Sequence, residues 1–168
     1  MNYQPDACIV HVVDDDPGLR RSLRFLLDSV GWTVQLHASA EEFLDVLVAP
    51  NQPCCLLLDI RMPSMSGLEL QQVLRGRGID LPILFMTGHA DVSMAVQAMK
   101  SGALDFIEKP LDLNRILVTV RNAVDKSTLI EETKILRSTV KKIKGSTIIG
   151  ESNEILAIKD MITKVAPS

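Results

Sequence analysis

Short apolar runs alternate with helical patterns from residue 8 to about residue 125, and few folds can absorb that alternation. The runs are Ile9–Val13 (with His11 inside it), 32–36, 54–58, 81–86 and the short 104–107. After the first, Asp16-Pro17 supplies a helix cap and a first-turn proline. Leu19, Leu23, Leu26, Leu27 and Val30 then form one helical stripe, stopped at Gly31. Ser39 and Glu42 make a capping box ahead of a helix with Phe43, Leu44 and Leu47 inward. A Pro/Ser/Gly loop at 60–67 follows the third run, and helices near 67–76 and 91–101 bracket the fourth. Strands joined by crossover helices must run parallel. The alternation therefore predicts an α/β fold, a doubly wound (βα)5 arrangement around a five-stranded parallel sheet.

Four of these runs end at a polar signal: Asp14-Asp15-Asp16, Asp59, Thr87 and Lys109. In a parallel sheet such ends line one rim, where open α/β folds place their ligands. Helix capping accounts for Asp16. It does not account for Asp14 and Asp15, because a third acid, Asp59, ends another strand, and like charges held close repel unless a cation intervenes. An all-oxygen donor set suits Mg²⁺, which takes one or two carboxylates and keeps several waters. Asp59 is either a further metal ligand or a nucleophile that attacks phosphorus to give an acyl phosphate. In the second case Asp15 and Asp59 share the metal with the incoming phosphoryl group. Lys109 then pairs with one phosphoryl oxygen, and Thr87, followed by Gly88, donates a hydrogen bond to another.

Charge supports a cation site. Residues 1–110 hold 8 Lys+Arg against 14 Asp+Glu, and residues 111–168 hold 10 against 7. Neither part has the basic excess of a stand-alone nucleic-acid binder, and Lys141-Lys142-Ile143-Lys144 reads as a solvated helix face. No apolar run nears the ~20 residues that span a membrane, and the first residues lack a signal peptide's basic and apolar regions. A cytoplasmic protein with no membrane partner is expected. Cys8, Cys54 and Cys55 form neither a disulfide framework nor a metal pattern, and pack as small hydrophobes. His11 reads as a satisfied core or rim histidine, and His37 and His89 as isolated.

From Asp112 a helical pattern runs without Pro or Gly until Gly145. Within it Leu129, Thr133, Leu136, Val140 and Ile143 repeat at 4-3-4-3 spacing, about two heptads of a coiled-coil seam. Pairing between chains is preferred to folding back, because a helix this long outruns a small domain.

Four segments carry a family resemblance. They are Val-Val-Asp-Asp-Asp at 12–16, Leu-Leu-Asp-Ile-Arg-Met-Pro-Ser-Met-Ser-Gly at 57–67, Met-Thr-Gly-His at 86–89 and Ala-Leu-Asp-Phe-Ile-Glu-Lys-Pro at 103–110. Together they resemble a response-regulator receiver domain of CheY-like (flavodoxin-like) fold over residues 7–125. The resemblance implies that Asp59 is the phosphoacceptor, supplied by a sensor histidine kinase. It implies that Asp14, Asp15, Asp59 and the backbone carbonyl of Arg61 hold Mg²⁺, with the Arg61 side chain of little consequence there. Thr87 and Phe106 resemble the family's switch pair, which remodels the face made by the helix near 91–101, the strand at 104–107 and the helix from Asp112 (α4–β5–α5). That face and the helical linker at 126–145 are the implied homodimer contacts. Lys109-Pro110 resembles a Lys-Pro whose peptide bond is usually cis. The wording at 87–103 is nearest to the FixJ-like group.

The tail resembles something else. Ile148-Ile149-Gly150-Glu151-Ser152, then Ile158, Met161, Ile162 and Lys164-Val165-Ala166, is similar to the opening of an NtrC-type AAA+ domain, which activates transcription with the sigma-54 form of RNA polymerase. Residues 146–168 are thus expected to be the truncated start of that output domain. No Gly-x-x-x-x-Gly-Lys-Ser/Thr loop occurs before Ser168, so no ATPase is expected here. Beyond self-catalysed phosphoacceptance and autodephosphorylation the chain is not expected to be an enzyme, and DNA and RNA polymerase are reached only through output domains. A FixJ-like receiver joined to a foreign linker is the alternative. So is a Mg²⁺-dependent aspartyl-phosphate phosphatase, although that chemistry wants an acid two residues after the nucleophile, where Arg61 stands. A flavodoxin-like cofactor binder wants a Ser/Thr/Gly loop where this chain has three acids.

Overall fold

Cys54–Asp59 is buried over its whole length, and its side chains divide between two cores. Cys55 and Leu57 join one, and Cys54, Leu56 and Leu58 join the other. A strand apolar on both faces needs a layer on each, which is the arrangement of a central strand in a parallel sheet. The structure, a computed structural model, describes residues 8–47 and 53–146. It runs β1 (Ile9–Val13), α1 (Pro17–Ser29), β2 (Thr33–His37), α2 (Ala40–Val46), β3 (Cys54–Asp59), α3 (Gly67–Gly76), β4 (Ile83–Thr87), a 3-10 turn (His89–Asp91), α4 (Val92–Lys100), β5 (Asp105–Glu108) and α5 (Leu113–Ser146). All strand pairs are parallel, in the order β2-β1-β3-β4-β5. The expected doubly wound sheet is present. Strand order reverses between β1 and β3, so their carboxyl ends open a crevice there.

Local signals start the helices as the sequence predicts, with one displacement. Asp16 accepts the Gly18 N–H at 2.9 Å with Pro17 in the first turn. Ser39 accepts the Glu42 N–H at 3.1 Å. The Glu42 carboxylate, however, takes the N–H of Ala38 (3.0 Å), one residue outside the ordinary capping box.

One core lies between the sheet and α1 and α5, with Leu23, Leu27, Ile116, Val120 and Val124 over Val10, Val12, Leu57 and Leu84. The other lies under α2, α3 and α4, with Phe43, Leu70, Leu74, Ala95 and Ala98 over Leu56, Leu58 and Phe85. Cys8, Cys54 and Cys55 are buried with free thiols, as the apolar reading expects. Burying a Leu or Phe side chain stabilises by roughly 1.5–3 kcal/mol, so these two layers hold the rim above them in place.

The chain divides into two compact units, Met1–Glu131 and Glu132–Ser168. In the first, α5 buries Ile116, Val120, Ala123, Val124 and Ser127 and leaves Leu129 exposed. In the second, Ile135 and Leu136 are exposed. The expected output-domain opening falls almost wholly on 147–168, outside the described residues. Among the described residues no helix is long and apolar enough to cross a membrane.

Candidate functional site

The carboxyl ends of β1 and β3 bring three carboxylates together. One oxygen from each of Asp14, Asp15 and Asp59 lies within 4.8 Å of the others. β1 and β3 are adjacent and in register, Val13 opposite Leu58, so the residues just beyond that pair, Asp14 and Asp59, meet side by side. Asp14 is fully buried, Asp59 is 7% exposed and Asp15 is exposed. The donor set is hard, oxygen-only and half open to solvent, which suits a small divalent cation that keeps water ligands.

Lys109 answers the acids from beyond β5. Its Nζ is 3.2 Å from Asp14 Oδ2 and 3.4 Å from Asp59 Oδ1. The backbone delivers it: the Lys109 N–H donates to the Thr87 carbonyl at 2.7 Å, and Lys109–Pro110 is cis, as the resemblance implies. One ammonium does not balance three carboxylates. Burial, then the Asp14 charge, pushes the Asp59 carboxyl up to about 6, against the opposing pull of Lys109 and the Arg61 backbone N–H. Burial drags Lys109 down, but the two carboxylates outweigh it and raise its pKa. A strained carboxylate beside a fully protonated lysine is poised to receive a group that brings negative oxygens for the lysine and a cation for the acids.

Asp14 is fixed by further bonds. Its Oδ1 accepts the Asp16 N–H at 2.8 Å, and its carbonyl accepts Arg20 Nη1 at 2.7 Å. Thr87 ends β4 and is buried, its hydroxyl donating to the Gly88 carbonyl at 3.1 Å. Phe106 in β5 pairs with Phe85, is half-buried and packs against the α2–α3–α4 core.

Gly67 opens α3 and pins it to the site. A Cβ there would stand 2.3 Å from the Asp59 carbonyl oxygen, and the Gly67 N–H donates to the Ile60 carbonyl at 2.9 Å. Only glycine lets helix and acceptor strand approach this closely.

Two features differ from the sequence reading. His37 is not isolated. His11 and His37 share a face of adjacent strands, with His11 Nδ1 3.0 Å from His37 Nε2 and both rings edge-on to Phe43. Burial, then the neighbouring His37, lowers His11 to about 4, and burial lowers His37 as well. The signal was available: the alternation that sends Val10 and Val12 to one core sends His11 to the other. The Arg61 side chain also has a definite partner. Its Nε lies 2.6 Å from Oδ1 of the buried Asp91, an ion pair that no local pattern announces.

The response regulator receiver domain family matches residues 10–121. The transcriptional regulatory protein FixJ of Azorhizobium caulinodans is 46% identical over 142 residues, covering 84% of this chain and 67% of that protein. The C4-dicarboxylate transport transcriptional regulatory protein DctD of Pseudomonas aeruginosa is 42% identical over 128 residues, covering 76% of this chain and 28% of that protein. Among solved structures, the response regulator StyR superposes with a TM-score of 0.79 at 32% identity, over 96% of this chain and 79% of that one. The chain spans 55–67% of the FixJ proteins that it matches.

Proposed function

This chain belongs to the response regulator receiver domain family, and from that premise we propose that it is the phosphoryl-accepting switch of a two-component transcription regulator, with Asp59 as acceptor. The observation that carries the reading is the buried Asp59 carboxylate held between Asp14 and Lys109 at a strand end. An Asp59 oxygen attacks the phosphorus of a phosphohistidine on a sensor histidine kinase. The new O–P bond forms as the P–N bond breaks, and its electron pair stays on the imidazole. Lys109 moves from the two carboxylates to a phosphoryl oxygen. The Thr87 hydroxyl leaves the Gly88 carbonyl for a second one, and Phe106 follows into the space. Asp14, Asp15, Asp59 and the Arg61 carbonyl would hold Mg²⁺, which supplies charge neutralisation to the transferred oxygens.

Phosphorylation shifts a pre-existing equilibrium by the extra contacts that it makes in one state. The α4–β5–α5 face has apolar residues to respond with: Val92, Val96, Leu113 and Val118 are exposed. Exposed Leu129 and Leu136, at seam positions, favour a homodimer through the linker. We take 7–125 as the receiver, 126–145 as the coiled-coil linker and 146–168 as the start of an AAA+ output domain. The full-length protein then acts in the cytoplasm on sigma-54 RNA polymerase at DNA. A FixJ-like receiver on a foreign linker is the second reading of the tail. Apart from phosphoacceptance and autodephosphorylation we propose no enzyme activity, because Arg61 occupies the place of a phosphatase's second acid and is engaged with Asp91.

Intact mass and light-scattering molar mass, with and without acetyl phosphate and Mg²⁺, test this. One added phosphate on wild type but none on Asp59→Asn, with a changed molar mass, is the expected result. An unmodified wild-type chain overturns the acceptor assignment.

A further inference from the structure

The ion pair between Arg61 and Asp91 joins two segments that the proposed switch must coordinate. Arg61 lies two residues after the acceptor, and its backbone N–H faces the Asp59 carboxylate. Its guanidinium Nε reaches Asp91 Oδ1 at 2.6 Å, short even for a charge-assisted bond. Asp91 closes the 3-10 turn that follows Thr87 and Gly88, and its own N–H donates to the Gly88 carbonyl at 3.0 Å. That same carbonyl accepts the Thr87 hydroxyl at 3.1 Å. A continuous series of polar contacts therefore leads from the acceptor loop, through the ion pair and the turn, to the hydroxyl that must change partners.

Asp91 gives up an alternative to make this pair. It is the N-cap residue of α4, where an aspartate ordinarily accepts a helix N–H, yet its side chain makes no capping bond. Asp91 is 6% exposed, so its carboxylate requires a charged partner, and Arg61 supplies it from a largely exposed side chain. Arg61 itself lines a groove with Ile60, Met62, Pro63, Ser66 and Met94, beside the acceptor loop.

We propose that Arg61 is a positioning residue: through Asp91 it ties the loop after β3 to the turn before α4 and so holds the Thr87 hydroxyl on the Gly88 carbonyl in the resting state. The inference rests on the reading of Asp59 and Thr87 as acceptor and switch. The pair is a latch on the resting arrangement. Its loss makes the Thr87 segment easier to move and a phosphoryl analogue easier to bind, because less of the binding free energy goes into rearrangement.

Amide hydrogen exchange on the unphosphorylated protein tests the latch without any phosphoryl chemistry. Asp91→Asn and Arg61→Met should each speed exchange across 87–91 by about tenfold or more, while β1 amides keep their wild-type rates. Unchanged rates at 87–91, or equal acceleration in β1, overturn the latch. Beryllofluoride titration with Mg²⁺ then reads its consequence. Each variant should bind about fivefold more tightly than wild type, and the double variant no more tightly than the singles, as for two residues acting as one pair. Affinities within twofold of wild type, or additive effects, reject the proposal. A wild-type protein that ignores beryllofluoride sinks the acceptor reading instead, and the exchange rates still decide the latch.

Discussion

The two ends of β3 lie five residues apart in one buried strand and obey opposite rules. At the amino end, Cys54 and Cys55 pack as apolar groups, and the buried Ser127 hydroxyl closes the Cys54 carbonyl at 2.8 Å. At the carboxyl end, the strand buries a carboxylate beside a second, fully buried one, with a single lysine shared between them. The first end is satisfied within the protein alone. The second is left in electrostatic conflict, which the cation and the phosphoryl group of the proposed function would relieve. A fold that only maximised stability would not place Asp59 there, and that mismatch is the mark of a working site.

Substitutions can break or sharpen this contrast. The largest effect is all-or-none: Asp59→Asn abolishes incorporation of phosphate from acetyl phosphate, read by intact mass. Next, Leu57→Ala, midway along the strand, should cost about 3 kcal/mol in urea unfolding, through lost burial and the cavity left behind. Asp59→Asn should move the other way. With divalent cations removed it should stabilise the fold at pH 7 by about 2 kcal/mol, since the carboxyl is raised to about 6 and ionising it in the fold is unfavourable. A loss of stability in Asp59→Asn would mean that the site is not in conflict.

The pH dependence sharpens the same point. Asp59 binds its proton more tightly folded than unfolded, so its contribution is fully present below pH 3.8 and is lost as pH rises through about 6. His11, lowered to about 4, does the reverse: its contribution is present above 6.5 and is lost as pH falls through about 4. Between pH 4 and 6 the two slopes oppose. On acidification through this window Asp59→Asn should lose stability more steeply than wild type, by about 1 kcal/mol per pH unit, because the opposing Asp59 contribution is gone. The smallest effect on stability belongs to the exposed Leu136. Leu136→Lys should change unfolding by no more than about 0.5 kcal/mol while lowering the light-scattering molar mass if the linker pairs.

Most of the architecture was legible because it depends on local pattern. Apolar runs of strand length, Asp16-Pro17 and Ser39 fix elements within a few residues of themselves, and the rim residues follow once the strands are parallel. Boundaries moved by only one or two residues, as at β2 and β4, where the pairing ladder rather than the apolar run decides the ends. The misses are long-range side-chain pairs. His11 meets His37 across 26 residues, and Arg61 meets Asp91 across 30. Each needs the register of packed elements, which a single residue's neighbours do not encode. Glu42 missed its expected partner by one residue because the bend into α2 turns the Ala38 N–H, rather than that of Ser39, toward it.

Gly67 has no side chain to contribute, yet substitution should be tolerated there less than at the acid rim. Asp15 is solvent-facing, so its exchange should leave the fold intact while removing one acid from the proposed site. Any residue with a Cβ at position 67 must push α3 off the Asp59 carbonyl that it would otherwise meet at 2.3 Å. A library selected only for soluble, folded protein would therefore empty position 67 of everything but glycine while leaving the exposed Asp15 free to vary. Selection for signalling would fix both, and the gap between the two profiles would separate what this rim needs in order to exist from what it needs in order to act.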